Sequence, residues 1–359
     1  MKPVYYSEYL SLPKLLDAQT PLSRESGSEC HDEMLFILVH QVYELWFKQI
    51  LHDLRSIVTE FKKDSLSEST LPLLVQRLQR VIKIQNVMIQ QFDILETMTP
   101  MDFLEFRELL MPASGFQSLQ FREIEIRLGL STDDRVEVDR KFFTGRLNDS
   151  DRKALESVEK DPSLLRLVER WLERTPFTAD RSFNFWDEYQ KAVSQMLTED
   201  EATIRANVAA LSSDEIKAQL ENLQQTRVNF DSLFDAKAHA TLVGEGKRKL
   251  SQKAILNSLF ILLYRDEPML SYPFELITAL MDIDENFTAW RHRHALLAHR
   301  MLGTKIGTGG SSGHVYLKRA AENNRVFTDF FNLSSFMIPR SKLPVLPAEL
   351  RKRLGFPAS

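Results

Sequence analysis

The chain's 359 residues are 43% hydrophobic and 27% charged, the balance of a soluble globular protein with room for one large core or two domains. A net charge of −4 supplies no basic field to draw nucleic acid or an anionic membrane. Cys30 is the sole cysteine, which excludes an internal disulfide framework and any cysteine-rich zinc or iron–sulfur site.

Residues 1–25 are aromatic and punctuated by proline, and read as an arm that docks elsewhere. Their opening, MKPVYYSEYLSLPKLL, has neither the apolar core nor the small-residue cleavage site of a secretory signal, so a cytoplasmic location is expected. No run reaches the roughly 18 apolar residues that span a bilayer. Residues 26–359 read as one domain. From Glu33 to Phe61 the apolar positions circle most of a helix, which predicts a helix buried on nearly all sides at the centre of a large bundle. The triplet HDE at 31–33 suits a helix start better than a ligand cluster. Phe36, His40, Tyr43 and Phe47 fall on one face of that helix. His40 is then either a core histidine bonded to a carbonyl or a polar group in an apolar pocket, where desolvation favours neutral imidazole.

Further along, Leu74, Leu78, Val81, Gln85, Met88, Phe92 and Leu95 alternate by four and three, and Gln85 interrupts the seam as a register device or buried hydrogen-bonding group. Thr99-Pro100-Met101-Asp102 marks a new start, with a cap, an N1 proline and an N3 acid. Arg107 lies one turn after Phe103 on a short apolar helix. It is either half of an internal ion pair or a fork for a substrate carboxylate. Residues 132–225 are polar and weakly patterned, and read as a small helical subdomain. Ser213 starts a helical pattern running to about Val243. Strand signals are nearly absent, so the fold class is all-α.

The richest chemistry lies near the C-terminal end. Trp290, His294, Leu297 and Met301 of WRHRHALLAHRML share a helical face, with Arg291 beside it. A histidine on an apolar face, near arginine and tryptophan, suits a haem iron with propionate partners, though His292 and His299 compete on spacing alone. Five of the twelve glycines follow in GTKIGTGGSSG. Such a turn lets backbone approach a ligand, but no strand precedes it and Lys305 comes too early for a phosphate-binding loop. HExxH, paired ExxH and GxSxG patterns are absent, which leaves zinc-protease, di-iron and serine-hydrolase chemistry unsupported.

These motifs in order resemble the tryptophan 2,3-dioxygenase family. The likeness is carried by YSEYLSLPKLLDAQTPLS, HDEMLFILVHQVYELWFKQILHDL, MDFLEFRELLMPASGFQSLQFR, WRHRHALLAHRMLGTKIGTGGSSG and VFTDFFNLSSFMIPR, and is weakest over 132–225. The resemblance implies a large helical bundle enclosing one haem b per subunit, its iron ferrous when active. It makes His294 the iron ligand and His40 the histidine facing the reacting side. Phe36 and Phe103 then line the indole slot, Arg107 binds the substrate carboxylate, and Thr308 of the glycine turn contacts the amino-acid head group. Tyr6 enters from a neighbouring subunit. Ser114 and Gly115 line the haem, with Arg122, Trp290 and Arg291 near its propionates. The implied reaction joins L-tryptophan and O₂ into N-formyl-L-kynurenine, in a homotetramer built as a dimer of dimers with exchanged arms. The alternatives are a same-fold haem enzyme that hydroxylates another aromatic amino acid or indole, and a non-enzymatic helical scaffold.

Overall fold

The computed structural model describes residues 3–63, 65–67, 69–130, 149–175, 179–180, 183–207, 211–303, 305 and 313–355. Three short helices, α1 (Tyr6–Tyr9), α2 (Leu12–Leu16) and α3 (Leu22–Glu25), precede two long ones, α4 (His31–Phe61) and α5 (Thr70–Leu95). Then come α6 (Pro100–Arg107), α7 (Leu119–Leu128), α8 (Asp149–Glu159), α9 (Leu164–Glu173), α10 (Phe185–Ala206), α11 (Ser213–Phe234) and α12 (Ala236–Gly244). The chain closes with α13 (Gln252–Leu263), α14 (Pro268–Leu302), α15 (Gly313–Asn323), α16 (Thr328–Asn332) and α17 (Ala348–Leu354). Among the described residues the only strands are two-residue segments pairing Ala179 with Asn184 and Asp180 with Phe183, so the fold is all-α as expected.

The chain divides into two compact units. The first comprises Met1–Ile57, Arg77–Ser163 and Asp282–Val326, and the second Val58–Gln76, Leu164–Met281 and Phe327–Ser359. In the first unit the heptad seam of α5 from Leu78 to Leu95 is buried along its length, and Gln85 is the buried hydrogen-bonding group that its position allowed. Its Nε2 donates to the Ile283 carbonyl at 3.0 Å. Tyr43 Oη donates to the Met88 carbonyl at 2.9 Å, and Gln91 Nε2 to the Val39 carbonyl at 2.8 Å, which ties α4 to α5. At α6, Thr99 and Asp102 form a reciprocal capping box: Asp102 N–H donates to Thr99 Oγ1 at 3.3 Å, and Thr99 N–H to Asp102 Oδ2 at 2.9 Å.

In the second unit α9 buries Leu164, Leu165, Leu167, Val168 and Leu172 on one stripe. Asn257 of α13 donates from Nδ2 to the Leu172 carbonyl at 2.7 Å. Phe185, Phe260 and Tyr264 form a buried aromatic cluster with ring centroids 4.9–5.4 Å apart. The Asp329 carboxylate takes the N–H groups of Lys249 and Leu250 at 2.7 and 2.8 Å. The polar stretch 132–225 is thus shared out, α8 to the first unit and α9, α10 and most of α11 to the second.

Two local expectations change. The helix wrapped on nearly every side is α13, whereas α4 leaves Leu38 41%, Val42 37% and Leu45 48% exposed on one stripe. Apolar periodicity reports burial without saying whether the same chain provides it. The start read at Ser213 is capped by Ser212, whose Oγ accepts from Glu215 N–H. That pattern also breaks at Asp235, which caps α12 by accepting from Lys237 and Ala238 N–H.

Candidate active site

One cavity of about 290 Å³ in the first unit is lined by most of the residues singled out from the sequence. A water occupies about 30 Å³, so the space suits a ligand rather than trapped solvent. Face periodicity explains how the residues meet. Helix α4 turns Phe36, His40, Tyr43, Glu44 and Phe47 toward the cavity, and α14 turns Trp290, Arg291, His294, Leu297 and Met301. Helix α6 and the turn after it add Phe103, Arg107, Ser114 and Gly115, while α7 adds Phe121, Arg122 and Glu125. His292 and His299 are exposed, so of the three histidines on α14 only His294 reaches the cavity. Gly303 closes that helix in the left-handed region, φ +59°, with its N–H donating to the His299 carbonyl at 2.7 Å.

His40 packs on Phe36, ring centroids 4.1 Å apart, and its Nδ1 lies 2.7 Å from the Phe36 carbonyl. A carbonyl only accepts, so Nδ1 carries the proton and donates, leaving the Nε2 lone pair for the cavity. Burial holds the His40 pKa below its ordinary value, against the smaller opposing effects of that hydrogen bond and of Glu44 one turn on. Glu44 accepts from Gln120 Nε2 at 2.8 Å. Phe36 stacks on Phe103 at 5.7 Å and meets the fully buried Phe106 at 5.6 Å, which builds an aromatic slot beside Arg107.

At the other end His294 sits 5.4 Å from Trp290 and 6.1 Å from Phe92, measured between ring centroids. Burial pushes its pKa down to about 4, and the charge His40 would carry adds to the effect. The imidazole is therefore neutral and free to give a lone pair. Among the described residues no three His, Cys, Asp or Glu converge on one point, so a metal held by protein groups alone has no seat there. A single neutral imidazole is the donor set of an iron whose other ligands come from a porphyrin.

The wall next to His294 carries an unusual charge arrangement. Glu125 accepts from Arg122 Nη1 at 2.9 Å and from Arg291 Nη2 at 2.8 Å, and all three residues are buried. Two guanidiniums thus converge on this cavity wall, and arginine is the residue type that pairs with an anionic group on a ligand. A Cβ at Gly115 would meet no atom of the chain within 4 Å, so its missing side chain widens the cavity rather than relieving a clash. The imidazole, the cationic wall and the aromatic lining together fit a haem.

Tyr6, expected to serve a neighbouring subunit, is 75% exposed on α1 of its own chain. Thr308 lies outside the described residues. The root of the arm is held by its own chain: Leu22 and Ser23 N–H donate to the Glu33 carboxylate at 2.8 and 2.9 Å, and Gln41 Nε2 to the Ala18 carbonyl at 2.9 Å. Sequence reasoning missed Glu44, Phe121, Glu125 and Asn324. Of these only Glu125, three residues after Arg122, had a readable signal.

A sequence model of the tryptophan 2,3-dioxygenase family matches residues 1–337. A tryptophan 2,3-dioxygenase of Alteromonas mediterranea is 50% identical over 356 residues, covering 99% of this chain and 98% of the relative. One from Bdellovibrio bacteriovorus is 49% identical over 354 residues, covering 99% and 98%. One from Dictyostelium discoideum is 43% identical over 356 residues, covering 99% and 89%. With a family model matching residues 1–337 and relatives alike over nearly the whole length, the chain belongs to the tryptophan 2,3-dioxygenase family.

Proposed function

We propose that the cavity binds haem b and L-tryptophan together, and that the chain catalyses insertion of both atoms of O₂ across the indole C2–C3 bond to give N-formyl-L-kynurenine. The observation that carries this reading is the pairing of His294, a neutral imidazole beside a buried cationic wall, with His40 facing the same cavity. His294 is the iron's protein ligand, Arg122 and Arg291 receive the propionates, and Trp290, Ser114 and Gly115 line the macrocycle. When bound, the haem supplies the iron chemistry that makes O₂ reactive toward the indole.

The chain's own residues then bind and orient. Phe36 and Phe103 hold the indole between apolar faces and exclude water. His40 Nε2, left as an acceptor by the Phe36 carbonyl, takes the indole N–H and fixes which ring edge faces the oxygen. Arg107 forks the substrate carboxylate, and Thr308 on the glycine turn takes the rest of the head group. His40 acts by orientation, since the indole N–H is a weak acid and attack from the ring need not begin by removing its proton.

The assembly is a homotetramer, a dimer of dimers, in which each arm brings Tyr6 to a neighbour's cavity. The exposed Tyr5, Tyr6, Tyr9 and Leu16 on the arm, with the Leu38–Val42–Leu45 stripe, support this by offering apolar surface that one chain does not cover. Among the described residues no helix is long and apolar enough to cross a membrane. The proposed working location is the cytoplasm. Haem reconstitution tests the reading. The wild-type chain is expected to show a Soret band, and His294→Ala to lose haem or give an altered spectrum restored by added imidazole. Loss with His299→Ala, and a normal spectrum with His294→Ala, would overturn the ligand assignment.

A further inference from the structure

Asn324 follows α15 directly and lines the cavity, yet it is only 1% exposed. Its backbone is pinned independently of its side chain. The N–H donates to the Ala320 carbonyl at 3.0 Å, and the C=O accepts from Arg291 Nη1 at 2.9 Å. Two residues on, Val326 N–H is held by both oxygens of Asp284, at 2.9 and 3.1 Å. The side chain makes no corresponding bond. Oδ1 is buried without a hydrogen-bond partner, although Glu125, Arg122 and Arg291 line the same cavity.

An unspent carboxamide in such a place calls for an explanation, because buried amides are almost always bonded and leaving one unmade is costly. A structural role would have used the amide on backbone or on Glu125. With no partner to fix which end is oxygen and which nitrogen, the group can turn its N–H donors into the cavity. We propose, resting on the haem reading above, that the Asn324 carboxamide donates to a carboxylate of the cofactor. It completes a three-point anchor with Arg122 and Arg291. An amide suits this place because it adds donors without adding a third cation to a wall that already carries two guanidiniums.

The test is haem release from reconstituted wild-type and Asn324→Leu proteins to an excess of apomyoglobin, run in parallel with haem dimethyl ester. Leucine keeps the branched heavy-atom skeleton of asparagine, with bulkier methyl ends, and leaves the backbone bonds in place. The melting temperature of the haem-free variant checks that it folds and is expected to lie close to wild type, since loss of a buried unpaired amide offsets the added bulk. Haem is expected to leave the variant roughly ten- to a hundredfold faster, the worth of a hydrogen bond to a charged group. The esterified haem, lacking carboxylates, should leave both proteins at similar rates. Asn324→Asp, which sets carboxylate against carboxylate, should release haem faster than the leucine variant. Equal haem release from wild type and Asn324→Leu would overturn the anchor alone, as would equal acceleration for haem and its ester. Failure of the wild type to take up haem would overturn both this proposal and the reading beneath it.

Discussion

His40 shows how far spacing goes for one residue. Spacing on α4 offered a core histidine bonded to a carbonyl, or a neutral polar group facing a pocket. Its Nδ1 does bond the Phe36 carbonyl, but the ring is open to the cavity and not packed into the core. Burial lowers its pKa from the ordinary 6.5, so the protonation that turns Nε2 from acceptor into donor is centred below that pH. The KM for L-tryptophan should therefore rise in acid solution with the rise centred below about pH 6.5, with Glu44 and His294 the titratable neighbours in the cavity. His40→Ala should keep measurable turnover and lose that rise. A pH profile with the rise centred above 6.5, or total loss of turnover in a variant that still binds haem and tryptophan, would contradict the orienting role. Arg107 is argued the same way. Removing one partner of a desolvated, hydrogen-bonded charge pair costs about 2–5 kcal/mol. Arg107→Ala should thus raise the KM for L-tryptophan at least about thirtyfold with haem content intact, while tryptamine, which has no carboxylate, is nearly indifferent. Equal losses with both substrates would return Arg107 to a structural ion pair. What residue-level reading could not supply was Glu125 between two arginines, since that depends on α7 and α14 meeting across more than 160 residues of sequence.

At the scale of elements the helical period was enough to place faces. The seam of α5, the capping box of α6 and the four-residue faces of α4 and α14 all follow from spacing and cap chemistry. Which of His292, His294 and His299 faces the cavity did not follow from spacing, because all three sit within two turns of one helix; the packing of α14 turns His294 inward. Burial of α4 was over-read for a related reason. Leu38, Val42 and Leu45 are apolar at i, i+4 and i+7, yet the chain itself leaves them exposed. If that stripe is covered by a second copy, a charge there is desolvated on assembly and opposes it. If the proposed tetramer forms, Leu45→Glu is expected to shift it to smaller species in light scattering, with helical circular dichroism preserved. An assembly of unchanged size would mean that the stripe faces solvent.

For the molecule as a whole, the all-α class was legible from the missing strand signals. The grouping into two units, each drawn from three separate stretches of chain, was not, because no composition break marks segments that associate only in three dimensions. The cavity sits within one of those units, its walls taken from residues 36–125 and 290–324, and long motifs in a fixed order identified it where single spacings could not. The glycine turn with Thr308, outside the described residues, and the arm with Tyr6 are the parts whose roles rest on the family alone. The central claim is that this cavity, loaded with haem, adds both atoms of one oxygen molecule to L-tryptophan. The direct measurement is mass spectrometry of the product after aerobic turnover of the reduced, haem-loaded protein under ¹⁸O₂. The account predicts N-formylkynurenine carrying two labelled oxygens; a product with a single added oxygen, or no turnover by a protein that holds haem and tryptophan, would contradict it.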